Sequence, residues 1–157
     1  MDIDAFEIKR IIARYLRFDL QCPVLGLEVN SCLQARNNGG LADLLAVDKK
    51  GYLIEIEVKV SMTDFRADRQ KGKHETYRKY SELPYKNRQL RNFWTGDIKT
   101  IEPHTYPTHQ FYFAIPKDLG NNAILLCEDM YPYAGLLAVG EYYYGNVNVL
   151  RKPKDLY

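Results

Sequence analysis

Leu41-Ala-Asp-Leu-Leu-Ala-Val-Asp-Lys-Lys-Gly-Tyr-Leu-Ile-Glu-Ile-Glu-Val-Lys-Val60 is the stretch whose reading decides the fold. Leu41 to Val47, within a strand read over Leu41 to Asp48, is apolar on both faces apart from Asp43, the pattern of a strand covered on both sides. Tyr52 to Val60 alternates, with Ile54, Ile56 and Val58 on one face and Glu55, Glu57 and Lys59 on the other. Between them, Lys49-Lys50-Gly51 suits a three-residue hairpin loop with its glycine in the left-handed conformation. That loop pairs Asp48 with Tyr52 and, carried back along the strands, sets Asp43 opposite Glu57. Side chains so placed have Cβ atoms roughly 4.5–5.5 Å apart, and two like charges there repel. A lone acid in an otherwise apolar strand is costly unless something offsets it. The offset expected here is Lys59 or a bound metal ion.

Outward from the hairpin, Ile3 to Leu16 has helical apolar spacing with Asp4 as N-cap, and Val24 to Gln34 reads as a first strand. Asn37-Asn38-Gly39-Gly40 is a turn. A second helix is expected from Met62 to Tyr80, capped by Ser61 or Thr63. Ser81 to His109, with Pro84, Pro103 and Pro107, has no period and reads as a long irregular insertion of the kind that carries function. Gln110 to Ile115 is a buried strand closed by Pro116. A short helix follows over Lys117 to Asp129, then strands at Ala134 to Val139 and Val147 to Arg151. The class is α/β, and residues 1–157 form a single domain.

Composition is that of a soluble globular chain, 46% hydrophobic and 27% charged. The apolar runs reach only about five to seven residues against the roughly 20 of a membrane span, so no membrane association is expected. No basic-then-apolar leader opens the chain, and a cytoplasmic location follows as the expectation. Cys22, Cys32 and Cys127 form no CxxC pair and share no ligand spacing with His74, His104 or His109, which points away from zinc and from a disulfide framework. Net charge is +2, but nine basic residues between Arg66 and Arg91 face only Asp68, Glu75 and Glu82. Such a segment is either a solvated helix face or a seat for a polyanion.

Hard oxygen ligands facing one another suit Mg²⁺ or Mn²⁺, with water and a phosphate completing the shell. A metal held by Asp43 and Glu57, with Lys59 to orient water or offset charge on the phosphate, is what phosphodiester hydrolysis requires.

Asp43 followed by Glu57-Val58-Lys59 resembles the D…(D/E)xK signature of the PD-(D/E)XK nuclease superfamily. The order of helix, three antiparallel strands, helix and strand resembles its αβββαβ restriction-endonuclease-like core. That core is a mixed sheet flanked by helices, with a small C-terminal α/β extension here. Ile54 to Asp68, with Tyr77, Tyr80 and Phe111-Tyr-Phe-Ala-Ile-Pro116, looks like the MmcB-type DNA repair proteins and related phage and bacterial nuclease-like proteins. The likeness covers residues 40–81 and 110–139; the Ser81 to His109 stretch is longer than the likeness leads one to expect. By this resemblance Asp43 and Glu57 are metal ligands, Lys59 is the catalytic lysine, the Val58 carbonyl adds a ligand, and Glu7 of the first helix is a further candidate. Glu55 is an extra acid on the same strand face, placed to assist a second metal or to meet solvent.

Ser61, Arg66, Arg69, Lys71 and Lys73 follow Lys59 directly and are the candidate phosphate contacts; ordinary capping and pairing with Asp64 and Asp68 is the rival reading. Tyr77 and Tyr80 read as packing. In the insertion, Tyr85, Phe93, Trp94 and Tyr106 lie among Lys86, Arg88, Arg91 and Lys99, a mixture that stacks on unpaired bases or packs as core. Neither His104 nor His109 is placed near the carboxylates by sequence. The expectation is a metal-dependent nuclease acting on DNA in repair or phage DNA metabolism, with a homodimer compatible. The alternatives are an inactive nucleic-acid-binding module on the same fold and an interaction protein that uses its acidic strand face.

Overall fold

In the computed structural model, residues 3–29, 41–82, 108–140 and 146–156 are described. The Asp4 carboxylate accepts from the Glu7 N–H at 2.7 Å and starts α1, Ala5–Arg14. The sequence pattern carries the helix on as regular turns, but Tyr15–Asp19 widens into a π-helix that ends at Leu20. β1 (Val24–Val29) leads, beyond residue 40, to β2 (Ala42–Val47) and β3 (Leu53–Val58).

The β2–β3 hairpin has the expected register, with Leu44 opposite Ile56, Leu45 opposite Glu55 and Val47 opposite Leu53. Gly51 takes φ +87°, and one Asp48 carboxylate oxygen accepts from the N–H groups of Lys50 and Tyr52, which locks the loop.

After β3 the expected single helix over Met62 to Tyr80 is broken in two. The Ser61 hydroxyl caps α2 (Met62–Ala67), a 3₁₀ turn covers Asp68–Gln70, and α3 runs over Lys73–Glu82. Lys71 leaves the helical region, and Gly72 follows it. Glycine is about 1 kcal/mol poorer than alanine in a helix interior, and the break turns Asp68, Lys71 and Lys73 inward. β4 (Thr108–Pro116), a short 3₁₀ turn, α4 (Gly120–Met130), β5 (Gly135–Val139) and β6 (Val147–Arg151) complete the order.

The six strands form one sheet in sequence order. β1, β2 and β3 are mutually antiparallel, β3, β4 and β5 are parallel, and β6 returns antiparallel to β5. This is the mixed, helix-flanked α/β sheet expected. α1 covers one face, where Ile8, Ile12 and Leu16 pack on Leu44, Ile56 and Ala114. α2, α3 and α4 cover the other, with Phe65, Tyr77, Cys127 and Tyr131 over Phe111 and Phe113. Phe65 meets Phe113 edge-on at 4.4 Å. The C-terminal tail closes this second layer: Lys154 N–H donates to the Tyr133 carbonyl and Leu156 N–H to that of His109. No described helix is long and apolar enough to cross a membrane.

Candidate functional site

β3 alternates, so its odd positions face the layer of α2 and α3. Glu55, Glu57 and Lys59 are therefore buried rather than lining a wet face, at 4%, 2% and 5% exposure. Charges taken from water at this depth must find partners, and the partners come from the break in the helix.

The Lys73 ammonium, on a side chain with no solvent exposure, donates to Glu55 Oε1 at 2.6 Å and Glu57 Oε1 at 2.5 Å. Lys71 donates to Glu57 Oε2 at 2.9 Å and lies 2.8 Å from Asp68 Oδ1. Lys59 lies 2.6 Å from the same Asp68 oxygen and 3.7 Å from Glu57 Oε2. The hydroxyls of Tyr77 and Thr108 both donate to Glu55 Oε2. Three ammonium groups thus interleave with three carboxylates in one closed network, from Thr108 in the interior to the half-exposed Lys71.

Burial would raise the Glu55 pKa, but the charge of Lys73 and the hydrogen bonds from Lys73, Tyr77 and Thr108 outweigh it and hold the acid below its ordinary value. Lys73 is pulled the other way: burial disfavours its charge, and the two glutamates restore it and push the pKa up. Asp68 is held far below the usual carboxylate range, because hydrogen bonds from His74, Lys59 and Lys71 overcome its burial. His74 sits between Asp68 (Nε2 to Oδ2, 2.6 Å) and the Tyr133 hydroxyl (Nδ1, 2.5 Å), and burial depresses its pKa. A neutral imidazole in that place donates from Nε2 to Asp68 and accepts the Tyr133 proton at Nδ1.

Asp43 is held elsewhere. Its Oδ1 lies 2.8 Å from the Lys9 ammonium of α1, and its Oδ2 accepts the Val58 N–H at 2.8 Å. Lys9 also pairs with Glu28 at 3.0 Å. Glu7 closes on Arg10 through both carboxylate oxygens and faces outward. The offset for the opposed acids is thus met by Lys9 on one side and by Lys71 and Lys73 on the other, with Lys59 turned chiefly to Asp68.

A divalent ion at these carboxylates would compete with the ammonium groups that already balance their charge. Both oxygens of Asp43 and both of Glu57 have N–H donors, and Glu55 is enclosed by Lys73 and two hydroxyls. Among the described residues, no group of three His, Cys, Asp or Glu side chains is placed to hold a metal. In this arrangement a divalent ion would have to displace Lys9, Lys71 or Lys73 to reach Asp43 or Glu57.

Of the expected phosphate contacts, Ser61, Arg66 and Arg69 are exposed and Lys71 is half-buried, whereas Lys73 is enclosed and faces only the carboxylates. A phosphate contact from Lys73 is thereby corrected to an internal ion pair. Tyr77 packs as read but also donates to Glu55. His109 stacks on Tyr52 at 4.1 Å and lies 3.3 Å from Asp155. Cys32, His104, the Asn37 to Gly40 turn and the insertion aromatics Tyr85, Phe93, Trp94 and Tyr106, with Lys86, Arg88, Arg91 and Lys99, lie outside the described residues.

Sequence reasoning missed Lys9, His74, Thr108 and Tyr133, and gave Asp68 only as an ordinary pairing partner, which it is for Lys71. Lys71-Gly72-Lys73 was the available signal, a glycine between two lysines inside a presumed helix.

A family model described as DNA repair protein MmcB-like matches residues 4–87. Among curated proteins none matches. The solved structure of a protein of unknown function from Silicibacter pomeroyi is similar over 100% of this chain and 78% of its own, with a TM-score of 0.53 at 18% identity. At that identity the likeness speaks for the fold.

Proposed function

The chain belongs to the MmcB-like DNA repair protein family, and from that premise we propose that it acts in a repair-related role by engaging DNA, with the lysine–carboxylate network as a structural support rather than a cleaving centre. The observation that carries this reading is the neutrality of the network. Lys59, Lys71 and Lys73 already satisfy Glu55, Glu57 and Asp68, so the exposed Arg66 and Arg69 at its rim keep their charge for a phosphate backbone. Binding of labelled duplex and single-stranded DNA in the presence of a chelator tests it. Affinity that survives chelation and falls steeply with salt is expected. Absence of binding at low salt rejects it.

A second reading, a Mg²⁺- or Mn²⁺-dependent deoxyribonuclease of the PD-(D/E)XK type with Asp43, Glu57 and Lys59 at its centre, is favoured by one observation. The register pairs Leu44 with Ile56, so Asp43 and Glu57 are the next residues along the two adjacent strands, and the Asp43 carboxylate reaches the Val58 N–H. It requires Lys71 and Lys9 to release the outer oxygens. Nicking of plasmid DNA with Mn²⁺ that is lost in Asp43→Ala and Lys59→Ala would replace the first reading with this one.

A further inference from the structure

On the sheet face opposite Glu55 and Glu57, α1 and its π turn form one wall of a groove of ≈ 490 Å³, with Leu27 and Glu28 of β1 on the other. Two large aromatics stand out of it, Phe6 at 75% and Phe18 at 70% exposure. Single exposed apolar residues are ordinary, but two phenylalanines on one groove are not. The lining also holds Lys9, Arg10, Arg14 and Arg17. Lys9 is paired with Asp43 and Glu28, and Arg10 with Glu7, which leaves Arg14 and Arg17 as the cations of the groove without an acidic partner among the described residues.

The π turn decides this alignment. In a regular helix, twelve residues do not bring a side chain back to its starting face; the wider turn over Tyr15–Asp19 swings Phe18 round to the groove that Phe6 lines. Such turns inside helices concentrate at functional sites. Arg17 is held in place by the carbonyls of Cys22 and Pro23, which position its guanidinium without cancelling its charge. Arg14 is exposed and makes no ion pair among the described residues. Two rings at the ends of an apolar channel, with the Arg14 and Arg17 guanidinium groups between them, match what an unpaired nucleic acid strand presents, flat bases on a charged backbone. A duplex hides its base faces and cannot use the rings.

We propose that this groove binds single-stranded nucleic acid, with Phe6 and Phe18 stacking on bases and Arg14 and Arg17 tracking phosphates. The inference rests on the DNA-engaging role above and gives it a second surface, remote from Arg66 and Arg69. Over the twelve residues from Phe6 to Phe18 the helix rises roughly 18 Å, long enough for several nucleotides.

The test is fluorescence anisotropy with a labelled oligothymidine and a labelled duplex. It uses wild type, Phe6→Ala, Phe18→Ala, Arg14→Ala and a rim variant carrying Arg66→Ala and Arg69→Ala, with circular dichroism to confirm folding. All these side chains are exposed, so the variants fold. The expected result is preference for the single strand and a loss of roughly tenfold for each phenylalanine, with a smaller loss and a lower salt slope for Arg14→Ala. DNA binding that the groove variants leave unchanged, or that favours the duplex, overturns the groove while the DNA-engaging role stands. No DNA binding at all overturns both. Binding of an acidic peptide at this groove with no nucleic acid affinity assigns it to a protein partner and also overturns the proposal.

Discussion

Lys73 Nζ lies 2.6 Å from Glu55 Oε1, and both side chains are buried. Each charge is tolerable only because the other is there, so Lys73→Met leaves Glu55 and Glu57 short of a cation in the interior. Removing one member of a buried pair costs roughly 3–5 kcal/mol. Urea denaturation followed by circular dichroism is expected to show a loss of that size for Lys73→Met. Combining it with Glu55→Leu should restore part of the loss, because an apolar substitute for both partners is tolerated better than an orphaned ion. A double variant as weak as the sum of the two singles contradicts the pairing.

Acid should weaken the fold in two stages. His74 has a folded pKa below its ordinary 6.5, so the unfolded chain binds a proton that the folded one refuses, and stability present above 6.5 declines as pH falls below it. Asp68 and Glu55 are also depressed, so their contribution, full above an unfolded value of about 4, is lost as pH falls further. Lys73, raised above 10.5, keeps its contribution below that value and loses it only as pH rises through its folded pKa. Urea midpoints across this range check the order, and His74→Gln should remove the first acid stage while keeping the second.

Divalent ions should leave the resting protein unmoved. With ammonium groups on both oxygens of Glu57, melting curves in Mg²⁺, Mn²⁺ or chelator are expected to coincide. Lys71→Ala, which frees Glu57 Oε2, is the variant in which Mn²⁺ should raise the melting temperature. A saturable Mn²⁺ shift in wild type that Glu57→Gln abolishes would show that the metal displaces the lysines, and would favour the nuclease reading.

Arg66 and Arg69 stand at the rim of the network, and their loss should weaken DNA binding about equally for every sequence. Each alanine substitution is expected to lower the slope of log affinity against log salt by roughly one. A slope unchanged in both variants removes the rim from the DNA surface.

Gly135 opens β5 beside Tyr112, and a Cβ there would come 2.4 Å from the tyrosine ring and 3.0 Å from Pro153. Strand and tail hold both neighbours, so Gly135→Ala should cost roughly 1–3 kcal/mol by overpacking. Thermal melting measures it.

The β2–β3 hairpin was legible because its loop glycine, the Asp48 turn and the even–odd alternation all speak of neighbours a few residues apart. The α1 cap and the order of later strands were legible for the same reason. What escaped was long-range. Nothing in Lys73 tells that it will lie beneath Glu55, eighteen residues back, rather than in solvent. Its neighbours Glu75, Arg78 and Lys79 form an ordinary wet helix face, and only Gly72 marks the break that sends Lys73 inward. Lys9 was equally silent, since its partner Asp43 belongs to a different element and the sequence offered Lys59 or a bound metal ion as its offset. The sequence pattern shows which charges exist; the strand pairing decides which of them meet.

The hydroxyl of Thr108 completes the shell around Glu55, and β3 finds its parallel neighbour only when Thr108 to Pro116 arrives. A chain emerging from the ribosome therefore displays all three lysines and all three acids of the network well before the strand that shelters them. Until then the glutamates stay hydrated and the hairpin has an open edge. The late strand acts as a latch on an otherwise premature assembly, and a nascent chain halted at Glu82 should remain accessible to protease along β3.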